Sequence, residues 1–255
     1  MILFPRFYCD IILPLHQSVK LPDDCAHHIF VRRLKKGDSL VLFNGEGKEQ
    51  IAEISSLESR SVFVQVEQTR NHPPPMYPIT LVQAFCGADK MDWIIEKATE
   101  LGVSAIYLVY TSRTQGKLNS EKLLKKQQHW QKVAQAACAQ SGRCWAPEIH
   151  SPISFEKAIL LFSEQIRFFL HPPQDNNSIS ILAAKKEENL NQPLTLMVGP
   201  EGGFSLAEVE ILQQKGWAQK HLGDWILRME TATMNALTRI QCWRDQNLHH
   251  SENKP

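Results

Sequence analysis

Apolar positions along the first third of the chain follow mostly the strand period, and beyond it strand and helix periods alternate. SLVLFN (39–44), EQIAEIS (49–55) and SVFVQVEQ (61–68) alternate or cluster apolar residues over strand-like lengths. Between the first two lies Asn44-Gly45-Glu46-Gly47, whose Asn-Gly step suits a tight hairpin turn. Helical spacing predicts one helix from about Asp24 to Leu34, capped by Asp23 or Asp24. A compact β-barrel with a single helix, over residues 1–72, accounts for the pattern.

NHPPPMYP (71–78) breaks the chain: its prolines can join neither a helix nor a central strand and favour a stiff, extended connection. Beyond it the two periods alternate. ITLVQAF (79–85) and AIYLVYT (105–111) predict strands, with a helix over 89–102 between them. In that helix Ile94, Ile95, Ala98 and Leu101 share a face and Gly102 is the stop. A long helix follows from about Ser120 to Gln140, then a short one capped by Ser154, then the strand RFFLHP (167–172). LTLMVG is a further strand, leading to a helix over 206–215, a strand end in HLGDWILRM (221–229) and a last helix from Glu230 to about Gln246. Strand–helix alternation of this kind predicts a mostly parallel sheet with helices on both faces, over residues 77–248.

Composition changes this picture little. The chain has 43% hydrophobic and 22% charged residues and a net charge of +1, so total charge neither demands nor excludes a nucleic-acid partner. Its distribution is more telling: Arg113, Lys117, Lys122, Lys125, Lys126, Lys132 and Arg143 face only one acid, Glu121, within 112–143. The six cysteines form no C-x-x-C pair and no cysteine–histidine grouping at zinc spacing, and His27 and His28 are adjacent rather than on one helix face. No metal is expected, and the thiols read as those of a reduced, cytoplasmic protein. No apolar run approaches the ~20 residues of a membrane helix, so no membrane association is expected.

Gly199-Pro200-Glu201-Gly202-Gly203 joins a strand to a helix, a position where glycine loops often hold phosphate. A P-loop needs a lysine and a hydroxyl after its last glycine, and a dinucleotide fingerprint needs G-x-G-x-x-G; neither is present. Glu201 would repel an anion. Ser205-Leu206-Ala207-Glu208 reads as a capping box and needs no ligand to explain it. Pro200, Glu201 and the paired glycines lie at a strand's carboxyl end, where open α/β sheets bind ligands. Taken locally, a tight structural turn and a ligand loop account for them equally.

GPEGGFS, LGDWILRMETA, KMDWIIEKATELGV and AQSGR, in the chain, resemble the bacterial RNA methyltransferases of the knotted SPOUT class, and among them the branch that methylates N3 of a uridine in 16S rRNA. The likeness spans nearly the whole chain. It implies a PUA-like RNA-binding domain over 1–72 and a SPOUT methyltransferase domain with a deep trefoil knot over 77–248. The cofactor implied is S-adenosyl-L-methionine, held by three loops: Leu170 to Pro172, Met197 to Gly203, and Leu222 to Ala232. Carried over residue by residue, the cofactor set is Leu170, His171, Met197, Gly199, Glu201, Gly202, Leu222, Gly223, Ile226, Leu227, Thr231 and Ala232. Leu170, Leu222, Ile226 and Leu227 are expected to sandwich the adenine. A neutral purine and a sulfonium cation suit a glycine loop without lysine.

Methylating N3 of uracil requires loss of a weakly acidic proton and stabilisation of the oxygens that gain charge. Arg228 is the expected source of positive charge and orientation, and Glu201 the candidate proton acceptor, with a purely structural carboxylate or direct loss to solvent as alternatives. The basic stretch is the electrostatic footprint for RNA, with Lys90, Arg113, Lys122 and Lys126 as candidate contacts. The resemblance adds Gln140 and Arg143 of Gln-Ser-Gly-Arg, and Arg6, His27 and Arg33 of the N-terminal region. The chain departs from the family at Arg32, where leucine is usual, and at Gln135 and Ala139, where glutamates precede Gln-Ser-Gly-Arg. The partners implied are 16S rRNA of the small ribosomal subunit and a second copy in a homodimer. Methylation of a ribose 2′-hydroxyl or of transfer RNA, and an inactive RNA-binding relative, are the competing readings.

Overall fold

The computed structural model describes residues 4–116, 120–162, 166–172, 179–180 and 192–252; Lys117 of the basic stretch lies outside them. The residues sort into two compact units. One comprises residues up to Pro75 together with Ala134–Ala146; the other comprises Met76–Val133 and Pro147 onward. Residues 134–146 thus group with the N-terminal unit, whereas chain order alone assigned all of 77–248 to one domain.

The N-terminal unit holds strands β1 (Arg6–Tyr8), β2 (Ser18–Lys20), β3 (Ser39–Phe43), β4 (Lys48–Leu57) and β5 (Val62–Asn71), with helix α1 (Asp23–Val31). They form one sheet in the order β1-β3-β4-β5-β2, antiparallel except for β1 against β3. Alternate residues of β3 to β5, among them Leu40, Leu42, Ile54, Val62 and Val64, meet Cys25, Ala26 and Ile29 of α1 in a single core. β1 and β2 escape the sequence pattern because three residues are too few to show a period. The helix cap also differs from expectation: Pro22 stands at the N-cap, and Asp23 and Asp24 lie in the first turn, where carboxylates complement the helix dipole. The β3–β4 connection is longer than a two-residue turn. Asn44 Oδ1 accepts from the amides of Glu46 and Lys48 at 2.9 and 3.0 Å, and Gly45 and Gly47 take positive φ. A Cβ on Gly47 would lie 2.6 Å from the Trp145 ring, so only glycine fits beneath that indole.

Among the described residues the second unit contains seven strands, β6 (Ile79–Ala84), β7 (Ala105–Tyr110), β8 (Glu148–Ser154), β9 (Ile166–Leu170), β10 (Ile179–Ser180), β11 (Leu194–Val198) and β12 (Ala218–His221). Its helices are α2 (Ala88–Glu100), α3 (Ser120–Ser141, which ends in the first unit), α4 (Phe155–Leu161), α5 (Leu206–Gln214) and α6 (Met229–Glu252). The sheet order is β10-β12-β9-β11-β6-β7-β8, and every neighbouring pair is parallel. β11 is buried at all five positions, as a central strand covered on both sides must be. On one face Val82, Ala84, Phe169 and Met197 pack against Phe155, Ala158 and Ile159 of α4 and Val209 and Leu212 of α5. On the other face Gln83 meets α6, where the Thr233 hydroxyl donates to its amide oxygen at 2.8 Å.

β8 was not expected, since Pro152 lies inside it. It is the edge strand, where a missing amide costs no ladder bond, and its register against β7 shifts where Ser151 and Pro152 pass. The predicted caps of α4 and α5 are present: Ser154 accepts from Lys157, and Ser205 with Glu208 forms a complete capping box. Arg244 of α6 is buried and donates to the Tyr77 and Gln192 carbonyls at 2.6 and 2.9 Å, so the helix is pinned to the starts of β6 and β11. Among the described residues no helix is long and apolar enough to cross a membrane.

Candidate functional site

In an all-parallel sheet the carboxyl ends of the strands lie together, and here the loops leaving β9, β11 and β12 enclose a cavity of about 590 Å³. Small-molecule sites are commonly about 300–1,000 Å³. The walls include Leu170 and His171 at the end of β9, Gly199 to Phe204 after β11, and Leu222 to Glu230 after β12; Lys90 and Arg113 line the cavity from α2 and the segment after β7. Loops far apart in sequence thus meet because their strands are neighbours in the order β12-β9-β11.

The glycine loop owes its shape to two constraints. Gly203 has φ +66°, a left-handed conformation that favours glycine, and a Cβ on Gly199 would sit 3.1 Å from the Phe204 ring. Arg113 Nη1 donates to the Gly202 carbonyl at 2.7 Å and lies 3.3 Å from that of Phe204. Glu208, besides capping α5, accepts from the Ser112 amide at 2.7 Å, so the segments following β7 and β11 are joined twice. Burial would raise the Glu208 carboxyl, but the Ser112 and Ser205 bonds outweigh it and hold it below the ordinary carboxylate range.

Glu201 stands at the rim, where Lys90 Nζ of α2 donates to Oε1 at 2.9 Å. Partial burial favours its neutral form. The Lys90 bond and a backbone amide prevail, and the carboxyl titrates below its usual range. His171, also in the wall, is shifted down by burial and by the charge of Arg113, which favours a neutral imidazole. The cavity contains further charge of both signs: Arg228 and Lys220 against Asp224 and Glu230. Glu230 Oε2 is buried without a hydrogen-bond partner. Burial pushes the Cys86 thiol, which also feels the Glu201 and Glu230 charges, up to about 12, favouring the neutral thiol over the thiolate.

Of the residues expected to hold the cofactor, Leu170, His171, Gly199, Glu201, Gly202, Leu222, Gly223, Ile226, Leu227 and Ala232 line this cavity, as does Arg228. Met197 does not: it is fully buried on the sheet face that packs against α4 and α5. Thr231 is exposed and outside the lining. Ile226, expected to sandwich a ring, is 85% exposed. Asp224, Trp225 and Glu230 lie within the third expected loop, and Phe204 and Lys220 lie just beside the expected loops; all five line the cavity, though the residue-by-residue cofactor set names none of them.

The expected RNA contacts divide between the units. Lys90 and Arg113 belong to the cavity, and Lys122 and Lys126 to the first turns of α3. That helix is anchored by buried Trp130, whose Nε1 donates to Asp92 of α2 at 2.9 Å. Gln140 and Arg143 belong to the N-terminal unit, as do His27 and Arg33, both exposed on or just after α1. Arg6 is mostly buried. Its guanidinium ion-pairs with Glu49 and donates to the Arg143 carbonyl at 3.3 Å and Cys144 Sγ at 3.4 Å. Glu49, His72 and Cys144 bring one ligand atom each to within 4.8 Å of one another, a grouping that linear spacing could not reveal. Arg6 lies on two of the three and already supplies a cation there.

Residues 72–241 match the family described as an RNA methyltransferase domain, and residues 21–67 match an RNA methyltransferase PUA domain. The chain is 30% identical over 220 residues to ribosomal RNA small subunit methyltransferase E of Bacillus subtilis, covering 84% of this chain and 86% of that protein. Against the protein of the same name from Buchnera aphidicola subsp. Schizaphis graminum it is 30% identical over 240 residues, covering 93% and 95%. The crystal structure of ribosomal RNA small subunit methyltransferase E from Neisseria gonorrhoeae bound to S-adenosyl methionine superposes with a TM-score of 0.84 at 29% identity, covering 94% of this chain and 98% of that one. With both units and the loops of the cavity inside these matches, the chain belongs to the RNA methyltransferase family that includes ribosomal RNA small subunit methyltransferase E.

Proposed function

We propose that this protein transfers a methyl group from S-adenosylmethionine to N3 of a uridine in the 16S rRNA of the small ribosomal subunit. One observation carries the reading: the three loops that enclose the cavity are those that the family resemblance assigns to the methyl donor, in a chain that matches a donor-binding relative along nearly its full length. The residues present fit such a donor. Leu170, Leu222 and Leu227 offer apolar surface to a purine, and the buried, unpartnered Glu230 Oε2 offers an acceptor to a cationic group. When bound, the donor supplies an electrophilic methyl group on a positively charged sulfur.

The chain's own residues supply the remainder. Glu201, kept ionised by Lys90, takes the N3 proton directly or through water. Arg228, exposed at the cavity wall, orients the uracil and stabilises its oxygens as they gain charge. Lys122, Lys126, Gln140, Arg143, His27 and Arg33 contact the RNA backbone and place the target. Residues 1–72 act as the PUA-like RNA-binding domain and 77–248 as the methyltransferase domain, its C-terminal part threaded as a trefoil knot. The working form is a cytoplasmic homodimer.

Mass spectrometry of 16S rRNA from a strain lacking this protein tests the assignment. The expected result is loss of one N3-methyluridine, restored by the wild-type gene. A full complement of N3-methyluridine in the deletion strain would overturn it, and label on ribose or transfer RNA in vitro would move the protein to another branch of the family.

A further inference from the structure

The loop from β12 to α6 presents Trp225 and Ile226, each 85% exposed, the most exposed of the large apolar side chains among the described residues. Two adjacent large apolar side chains this open form a patch of the kind that often marks a binding surface, and a bound ligand is the reason to consider. Its surroundings narrow the reason to a class of ligand. Trp225 lines the cavity, with Arg228, exposed, three positions along the same loop; Lys90 and Arg113 of the wall are engaged by Glu201 and by the glycine-loop carbonyls. Asp224 is the one exposed acid beside it in the loop.

N3 of uracil is on the pairing edge, so the base must leave its stack and its partner before the atom can react. An extruded base is held by stacking on an aromatic face, with cations nearby for its phosphates. The other rings of the cavity are poorly placed for that. Phe204 is buried, packed edge-on to Phe169 at 6.1 Å and close beneath Gly199. His171 and His221 are half-buried, and His221 Nδ1 is engaged by the Gly223 amide at 3.2 Å. Trp225 alone among the described lining residues has an open ring face.

We propose that Trp225 is the stacking platform for the extruded pyrimidine, a substrate-positioning residue distinct from those that hold the methyl donor. This rests on the rRNA reading above. A nucleobase is favoured over an apolar protein surface because the exposed guanidinium of Arg228, suited to phosphate and base oxygens, shares the loop and the cavity wall.

The test compares the full-length wild-type protein with Trp225→Ala and Trp225→Phe in three measurements: donor affinity by calorimetry, kcat/KM on small ribosomal subunits at saturating donor, and sedimentation velocity. Trp225→Ala is expected to lower kcat/KM on the order of 10- to 100-fold, as removal of one base-stacking partner does. Phe should restore most of it, with donor affinity within about twofold and an unchanged sedimentation coefficient. Three results would each overturn the proposal: an unchanged kcat/KM for the Ala variant, a matching loss of donor affinity, or a change of oligomeric state that marks the face as covered by a second copy. If the wild-type protein binds donor but leaves the subunit's uridines unmethylated, it is the functional reading that fails. If wild type and Trp225→Ala methylate equally, only the stacking role fails.

Discussion

Lys90 at the start of α2 and Glu201 in the glycine loop form a 2.9 Å ion pair at the rim of the cavity, joining residues 111 positions apart. Burial acting alone would push the Glu201 carboxyl up; the Lys90 bond and charge, together with a backbone amide, bring it down. In Lys90→Met, with the backbone amide still in place, the carboxyl should therefore rise toward the ordinary glutamate value of about 4.3. If Glu201 accepts the N3 proton, activity is lost as Glu201 protonates, so the acid limb of the kcat/KM profile should move to higher pH in the variant. A limb that stays in place, with Glu201→Gln still active, would remove Glu201 from proton transfer.

Arg113, expected from its charge to contact RNA, spends its guanidinium on the Gly202 and Phe204 carbonyls. Its replacement by Met should loosen the loop and weaken donor binding by about tenfold, the lower end of what a charge-assisted hydrogen bond contributes at an exposed site. Calorimetry with the donor alone reads this directly. Unchanged donor affinity together with weakened RNA binding would return Arg113 to a contact role.

The Thr233 hydroxyl and the Gln83 amide are both fully buried and pair with one another beneath the start of α6. Thr233→Val keeps the shape but leaves the Gln83 oxygen without its donor, at a cost of about 1–3 kcal/mol. Urea unfolding should report that loss, and Thr233→Ser, which keeps the hydroxyl, should recover most of it. Equal losses in the two variants would assign the effect to packing.

Arg6 and Glu49 are a nearly buried ion pair in the N-terminal unit. Removing one partner of such a pair typically costs about 3–5 kcal/mol, because the other charge stays behind without its counter-ion. Arg6→Met should therefore destabilise the protein by that order in denaturant unfolding. An RNA contact on the surface would instead lose RNA affinity at constant stability. The pair also has a pH signature. Burial favours the neutral Glu49 carboxyl, but bonds from Arg6 and Cys144 outweigh it and depress its pKa. A depressed carboxylate contributes stability above its unfolded value, near 4.3, and loses it as pH falls through the lower folded value. Stability of the wild type should thus decline below about pH 4.3 and that of Glu49→Gln should decline less.

Long periodic elements were readable in advance. α2, α3 and the central strands β6, β7 and β11 follow from apolar spacing, and the Ser154 and Ser205 caps follow from side-chain chemistry that acts within four residues. Short or interrupted elements were not. β1 and β2 carry too few residues for a period, and β8 contains a proline that is tolerable only at an edge, a position defined by the other strands. The cavity loops were located by their motifs, yet within them Met197 points into the core and Ile226 into solvent.

The sequence by itself determined the periods, the caps, the glycine positions and the family motifs, because each depends on neighbours along the chain. Tertiary structure decided which strand ends became neighbours, and so which loops enclose the cavity. It also turned Arg6 inward to Glu49, engaged Arg113 with the glycine loop, paired Lys90 with Glu201 and left Trp225 open at the wall. A charge or a ring carries no record in the sequence of whether it will face solvent, a carbonyl or a counter-ion. That depends on long-range packing, which brings together residues a hundred positions apart.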